Sequence, residues 1–269
     1  MNRAALVAEY RKLVTTRLWW ILLAVMAAYM ALIAAGLGWS LSQAPVTTGG
    51  SGEEVALTPD EVVRSVYTVA VSIGYVFPLL IGALAFSSEF RHKTITPTLL
   101  AEPSRTRVLL AKLGANGVVG LIFGAVGTLA AVLAGGGILA AIGEETFLGS
   151  ASTWRSIGLS VVALALWALL GTALGSVLTN QVAVIVVVLA FTQFVEPIAR
   201  VVLSMTSWGA TVAAYLPGAA GEAVSGGSFY SAAGMSSLLS WWQGLLVLLV
   251  YIAALSAIGR LTTLRRDIS

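Results

Sequence analysis

Glu89-Phe-Arg91-His92-Lys93-Thr94-Ile-Thr-Pro97-Thr-Leu99-Leu100-Ala-Glu102-Pro103-Ser-Arg105-Thr-Arg107, with Lys112 just beyond, lies between two long apolar runs of the 269-residue chain. It holds five of the fifteen Lys and Arg residues and the single histidine, His92. Dense positive charge wedged between membrane-length segments describes a loop at a membrane surface. The rest of the composition agrees. The chain is 58% hydrophobic and only 10% charged, with a mean hydropathy of +0.93. A soluble domain carries about a quarter charged residues, so this chain has too few to cover a water-facing surface. Its length therefore counts membrane spans, and the expected fold is an all-α membrane protein in a single transmembrane domain, 1–269.

Outward from that loop the apolar runs predict six spans, at about 18–41, 66–86, 113–142, 157–178, 182–203 and 239–258. The first, 24 residues long, makes about 36 Å of helix, enough to cross with tilt. It is too long for a signal peptide, so it reads as an uncleaved anchor. Trp19, Trp20 and Trp39 at its ends, and Trp241 and Trp242 at the start of the last span, sit where indole prefers the interface. Ahead of it, residues 1–17 are amphipathic. Leu6, Val7, Tyr10, Leu13 and Val14 share one side, Glu9, Lys12 and Thr16 face away, and the basic residues predict an interfacial helix on an anionic leaflet. Residues 42–64 form a polar loop containing Gly49-Gly50-Ser51-Gly52, and Thr58-Pro59 with Glu61 marks a helix start. Thr179-Asn180-Gln181 makes a tight turn. Residues 204–238, broken by Gly209, Pro217, Gly218, Gly221, Gly226 and Gly227, predict short re-entrant helices before the last span.

Six spans place both termini and the 89–112 loop on one side, with twelve of the fifteen cations; Arg64, Arg155 and Arg200 lie opposite with eight of the twelve acids. The positive-inside rule then makes the crowded side cytoplasmic. Cysteine is absent, which excludes disulfides and thiolate metal sites, and one histidine excludes a multi-His centre or a histidine-based intramembrane hydrolase. Within the loop, Thr96 can cap a short helix with Pro97 at its first position, Pro103 ends it, and Ser104 or Thr106 caps the helix that follows. Exposed leucines ringed by Arg91, Lys93, Arg105 and Arg107 suit docking into a groove on a soluble protein; a basic loop resting on anionic lipid is equally compatible.

Two further patterns are candidates for a path through the membrane. Ser65, Thr68, Ser72 and Tyr75 share one helical face of the second span, and Thr192, Gln193, Glu196 and Arg200 cluster near the outer end of the fifth. The hydroxyls can equally bond back to their own helix, and Glu196–Arg200 can be a simple i,i+4 pair. Glu196 is the stronger candidate, because a carboxylate near the bilayer is costly without a partner. Gly120-x-x-x-Gly124 and Gly171-x-x-x-Gly175 permit close helix approach and are expected to pack spans within one subunit.

The pattern E-x-x-x-x-T…L-L-x-x-P…R…K at Glu89, Thr94, Leu99, Leu100, Pro103, Arg105 or Arg107, and Lys112 resembles the ABC type-2 transporter permeases. The resemblance extends over nearly the whole chain, from the amphipathic N-terminus to Tyr215-Leu216-Pro217-Gly218-Ala219. Members commonly carry Gly before the Thr, where this chain has Lys93. The resemblance implies a coupling helix after the second span, in contact with a separate ABC ATPase subunit in two copies through Glu89, Arg91, His92, Lys93, Thr94, Leu99, Leu100, Pro103, Arg105 and Arg107. It implies a second permease, identical or related, with the second and fifth spans at the seam, where Thr68, Ser72, Tyr75, Thr192, Gln193 and Glu196 would line the path. ATP and Mg would sit in the partner, since this chain has no Gly-Lys dipeptide and hence no phosphate-cradling loop of that type. The chain itself is then non-catalytic, binds no cofactor, metal or nucleic acid, and works in the bacterial cytoplasmic membrane. An apolar seam with a few hydroxyls fits export of a lipid-like or amphipathic drug-like substrate. The alternative is an ATP-independent secondary transporter or channel, a class that usually shows internal repeats and mid-membrane charge.

Overall fold

The computed structural model describes residues 3–43, 46–47, 54–55, 57–232 and 238–263. The Gly49–Gly52 segment, Glu53, Arg265 and Arg266 lie outside the described residues, as do the side chains of Leu6, Leu13 and Val14. Helices α1 (Arg3–Thr15), α2 (Arg17–Gln43), α3 (Pro59–Tyr67), α4 (Val69–Ser72), α5 (Val76–Arg91), α6 (Ile95–Ala101), α7 (Arg105–Ala141) and α8 (Ala151–Val177) come first. Then α9 (Gln181–Ala190) runs through a π-helical turn (Phe191–Val195) into α10 (Glu196–Ser204). Short helices α11 (Ser207–Ala213), α12 (Pro217–Ser225) and α13 (Phe229–Ala232) precede the final α14 (Trp241–Leu261). A two-residue antiparallel ladder, β1 (Val46–Thr47) with β2 (Glu54–Val55), pairs Val46 with Val55.

Five helical stretches among the described residues are long and apolar enough to cross a membrane: Arg17–Gln43, Arg105–Ala141, Ala151–Val177, Gln181–Ser204 and Trp241–Leu261. The molecule is a multi-pass helical membrane protein. At 37 residues, α7 is about 55 Å long, well beyond the roughly 30 Å hydrocarbon core, so one end stands outside it. Its helix begins at Arg105, eight residues before the 113–142 span read from the sequence, with Ser104 at the cap position but making no side-chain cap bond.

The 66–86 stretch is not one helix. It is divided among α3, α4 and α5, with breaks at Thr68 and at Ile73–Tyr75. Thr68 returns its hydroxyl to the Arg64 carbonyl at 2.7 Å, a local bond that competes with helix continuation. At Gly74 a Cβ would lie 2.6 Å from Met30 Sδ and 2.8 Å from the Ala70 carbonyl, so only glycine lets the chain turn there. Pro78, which has no N–H to lose, falls in the first turn of α5, where amides are unpaired in any case. Where a helix start was expected, α3 carries a full capping box: Glu61 N–H donates to Thr58 Oγ1 at 3.4 Å and Thr58 N–H to Glu61 Oε2 at 2.8 Å, with Pro59 first in the helix. The backbone and then the hydroxyl bond from Thr58 hold the Glu61 carboxyl below its ordinary range.

In the fifth stretch, the wider π turn precedes Pro197, whose ring would otherwise meet the carbonyl of Gln193. Asn180 starts α9 by accepting from Val182 N–H at 3.0 Å and Ala183 N–H at 3.1 Å.

The core lies where α2, α5, α7 and α8 meet. Both small-residue motifs work inside the subunit, as the spacing predicts. A Cβ on Gly120 would strike Ala165 and Ala168 of α8, and one on Gly124 would strike the Val161 backbone. Further along α8, Gly171 and Gly175 lie against the α5 backbone at Leu79 and Ala83. Among buried side chains, Tyr75 stacks on Trp167 with ring centroids 4.2 Å apart, and Tyr67 reaches from α3 to donate to the Thr146 carbonyl at 3.0 Å.

Candidate functional site

The charged loop is built by the way α5 ends. Lys93 takes a left-handed φ of +54°; Lys93 N–H donates to Phe90 C=O at 3.3 Å and Thr94 N–H to Glu89 C=O at 2.9 Å. This 5→2 and 6→1 pair is a Schellman C-cap, whose left-handed position favours glycine. The turn reverses the chain into α6, which starts at Ile95 rather than after Thr96; Thr94 flanks it without a side-chain cap bond, and Pro97 is its third residue. The earlier start is the Schellman turn's doing, since Thr94 is already placed by it. Replacing Lys93 with Gly removes the strain and is expected to raise stability by about 1 kcal/mol, read as an upward shift of the unfolding midpoint in detergent.

Beneath this turn lie four interlocked charges. Lys112 of α7, 1% exposed, donates from Nζ to Glu9 Oε2 at 2.6 Å, Glu89 Oε1 at 2.8 Å and the Ala85 carbonyl at 3.1 Å. Lys12 of α1 donates to Glu9 Oε1 at 2.7 Å, to the same Glu89 oxygen at 2.8 Å and to Thr98 Oγ1 of α6 at 3.0 Å. Lys112 Nζ also stands 5.1 Å from the Phe86 ring centroid. Two carboxylates and two ammonium groups cancel, which makes burial of the set tolerable. Burial works to lower the Lys12 pKa, but the bonds from Glu89 and Glu9 outweigh it and hold the group above its ordinary value. The clasp thus ties the N-terminal helix, the end of α5, the short α6 and the start of α7 into one body. Clefts of about 480 and 570 Å³ flank it, the larger lined by Ser88, His92, Thr94 and Gln181 as well as the clasp.

This arrangement corrects the N-terminal reading at Glu9. Glu9 is buried, and Val7 and Tyr10 are exposed. Of the three polar residues, Glu9 turns inward because Lys112 meets it there, while Lys12 and Thr16 stay exposed. Of the loop residues named from sequence, Glu89 is buried, Leu99 half-buried and Leu100 79% exposed; His92, Lys93, Thr94 and Pro103 are exposed. Arg91 donates to Gln181 Oε1 at 3.1 Å, Arg107 stands 3.6 Å from Glu102, and Arg105 is half-buried.

The intramembrane candidates do not lie along one open face. Thr68, Ser72 and Tyr75 are buried, the last donating from its hydroxyl to the Thr192 carbonyl at 3.2 Å. Thr192 bonds back to Val188 C=O at 2.8 Å, and Gln193 alone of the six is exposed. Glu196, 1% exposed, belongs to a second charged cluster. Arg200 donates to Glu196 Oε1 through Nε at 3.2 Å and Nη2 at 2.8 Å, and to Glu222 Oε2 through Nη1 at 2.9 Å. Gly218 and Ala219 N–H, at the start of α12, also donate to Glu196 Oε1, at 2.6 and 3.2 Å. Ser228 donates to Glu222, and the Arg200 guanidinium lies 5.0 Å from the Tyr230 ring centroid. Glu222 and Ser228 were not singled out from the sequence, although an acid in the apolar 216–225 stretch was a visible signal.

Among the described residues no group of His, Cys, Asp and Glu side chains could hold a metal ion. No curated protein matches the chain. The sequence pattern of the family described as "Protein of unknown function (DUF2705)" matches residues 21–269, most of the chain, and the protein belongs to that family.

Proposed function

We propose that this chain is the permease subunit of an ATP-driven exporter, with α6 as the coupling helix that receives the motion of a separate ATPase. The carrying observation is the clasp. The exposed Leu100 sits on a seven-residue helix whose Thr98, through Lys12 and Glu89, is fastened to α1, α5 and α7. A push on α6 is then delivered to two membrane helices at once, as a coupling element requires. The left-handed turn at Lys93 falls where related permeases commonly carry glycine, which adds weight to the resemblance. In this reading α3, α4 and α5 together make a broken second crossing, giving six, and α11–α13 are re-entrant. Both termini face the cytoplasm, the membrane is the bacterial cytoplasmic membrane, and two permeases work with two ATPases that bind ATP and Mg. An amphipathic or lipid-like substrate is moved outward.

Co-purification from the native host is expected to bring down an ABC ATPase whose hydrolysis is stimulated by the substrate. Leu100→Glu, which puts a carboxylate on the docking face, is expected to reduce ATPase recovery at least tenfold while the purified permease keeps its unfolding midpoint. Isolation without any ATPase, with transport driven by an ion gradient alone, would overturn the reading. In the cysteine-free chain, impermeant thiol labelling in intact cells is expected at Gly149→Cys and not at Thr106→Cys. The opposite pattern sinks the orientation.

A further inference from the structure

Glu196, Arg200 and Glu222 set two carboxyl groups against one guanidinium, with exposures of 1%, 3% and 0%. If all three were ionised, one negative charge would be left uncompensated in a site sealed from water, a situation proteins resolve by neutralising a group. Hydrogen-bond donors are shared unequally between the two carboxyls. Glu196 Oε1 takes two bonds from Arg200 and two from the α12 backbone amides, the environment of an ionised carboxylate at a helix N-terminus. Glu222 takes one from Arg200 and one from Ser228. Each carboxyl also keeps one buried oxygen, Glu196 Oε2 and Glu222 Oε1, with no hydrogen-bond partner. Glu222 Oε1 is thus free to carry a proton without breaking a bond the cluster already makes.

We propose that this cluster is a proton-binding site, in which one proton on the Glu222 carboxyl completes a neutral set (anionic Glu196, cationic Arg200, uncharged Glu222) and locks α12 onto α10. The proton comes from water and converts a carboxylate to a carboxylic acid; no other bond changes.

Among the described residues the surroundings offer no other neutralising charge. From α10 the groups that face Glu222 are Glu196 and Arg200, and from the segment after α12 they are Ser228 and Tyr230. Helix α14 brings Tyr251, whose hydroxyl donates to the Tyr215 carbonyl, and α8 turns the Trp167 indole nitrogen toward Gly221. Helix α4 is Val-Ala-Val-Ser, without a titratable group, and Tyr75 beyond it is bonded to Thr192. Arg64, whose Cβ lies near Gly227, is paired with Asp60 at 2.7 Å. Burial, opposed by Arg200, raises the Glu222 carboxyl to about 7. The sign follows from linkage: the docked state binds the proton more tightly than the undocked one, so docking is firmest at acid pH. It weakens as pH rises from the ordinary carboxyl range to about 7 and levels off above it.

Infrared difference spectra of the full chain in lipid nanodiscs test this without substrate or ATPase, so the outcome is independent of the transport reading. Wild type should show the C=O stretch of a buried protonated carboxyl, lost with a midpoint near neutral pH. Glu222→Gln should lack it. Glu196→Gln should also lack it at neutral pH, because Arg200 then has only Glu222 to balance and that carboxyl ionises. Absence of a titrating band in wild type, its survival in Glu222→Gln, or its persistence unchanged in Glu196→Gln would each overturn the proposal. For the lock, thiol labelling at Ser225→Cys is compared with the same cysteine in a Glu222→Gln background. The rate ratio should rise up to tenfold per pH unit below 7 and then level; a flat ratio rejects the lock.

Discussion

Lys112→Met is expected to destabilise the protein by about 3–5 kcal/mol, the range for removing one partner of a buried ion pair. Methionine fills much of the space of the lysine stem, so the loss is electrostatic. Glu9 and Glu89 would be left buried around Lys12 alone, whose side chain is 43% exposed. The loss should appear as a lowered unfolding midpoint in detergent and as release of α1, detected by hydrogen exchange across 3–15. Adding Glu89→Gln should recover more than about 1 kcal/mol of it, since the second substitution removes one of the stranded charges. By contrast Lys12→Met, at the wet edge of the same clasp, should cost no more than about 1 kcal/mol. A Lys112→Met protein within about 0.5 kcal/mol of wild type would mean that the clasp is solvated and does not fasten the helices.

Arg200→Met should be comparably damaging, at about 3–5 kcal/mol, because it strands two carboxyls whose side chains are each 1% exposed. Here the loss should be local first: hydrogen-exchange protection of α12 should fall before that of α8. Glu222→Gln, which keeps shape and resembles the protonated acid, should stay within about 1 kcal/mol of wild type. The triple replacement Glu196→Gln, Arg200→Met and Glu222→Gln should recover much of the single-mutant loss, because a neutral set needs no counter-charge. Equal losses for the Arg200→Met protein and the triple variant would show that the cluster acts by packing alone.

Much of this was legible from residue order. Long apolar runs marked where helices could cross, Thr58-Pro59 with Glu61 marked a helix start, and Asn180 sat where α9 begins. The small-residue motifs correctly indicated packing within the subunit. What misled was treating each segment alone. Val66 to Phe86 has the composition of one span, but the breaks at Thr68 and Gly74 depend on Arg64 C=O and on Met30 of another helix. Glu9 of α1 was set among the residues facing away because its partner Lys112 lies 103 residues along the chain. In the same way the partners of Glu196 were out of view: the amides of Gly218 and Ala219 donate to it, and Arg200 joins it to Glu222.

By itself the sequence determined the solvent and the places where apolar helices can form, because hydropathy and helix length are local sums that a bilayer reads segment by segment. It also determined that the charges gather at segment ends. Only the tertiary structure decided which charges meet. Ion pairs and helix caps across elements depend on distances of a few ångström between residues far apart in the chain, and those distances are set by how the helices pack. The clasp beneath the Glu89–Lys112 loop and the Glu196–Arg200–Glu222 cluster both arise at that level.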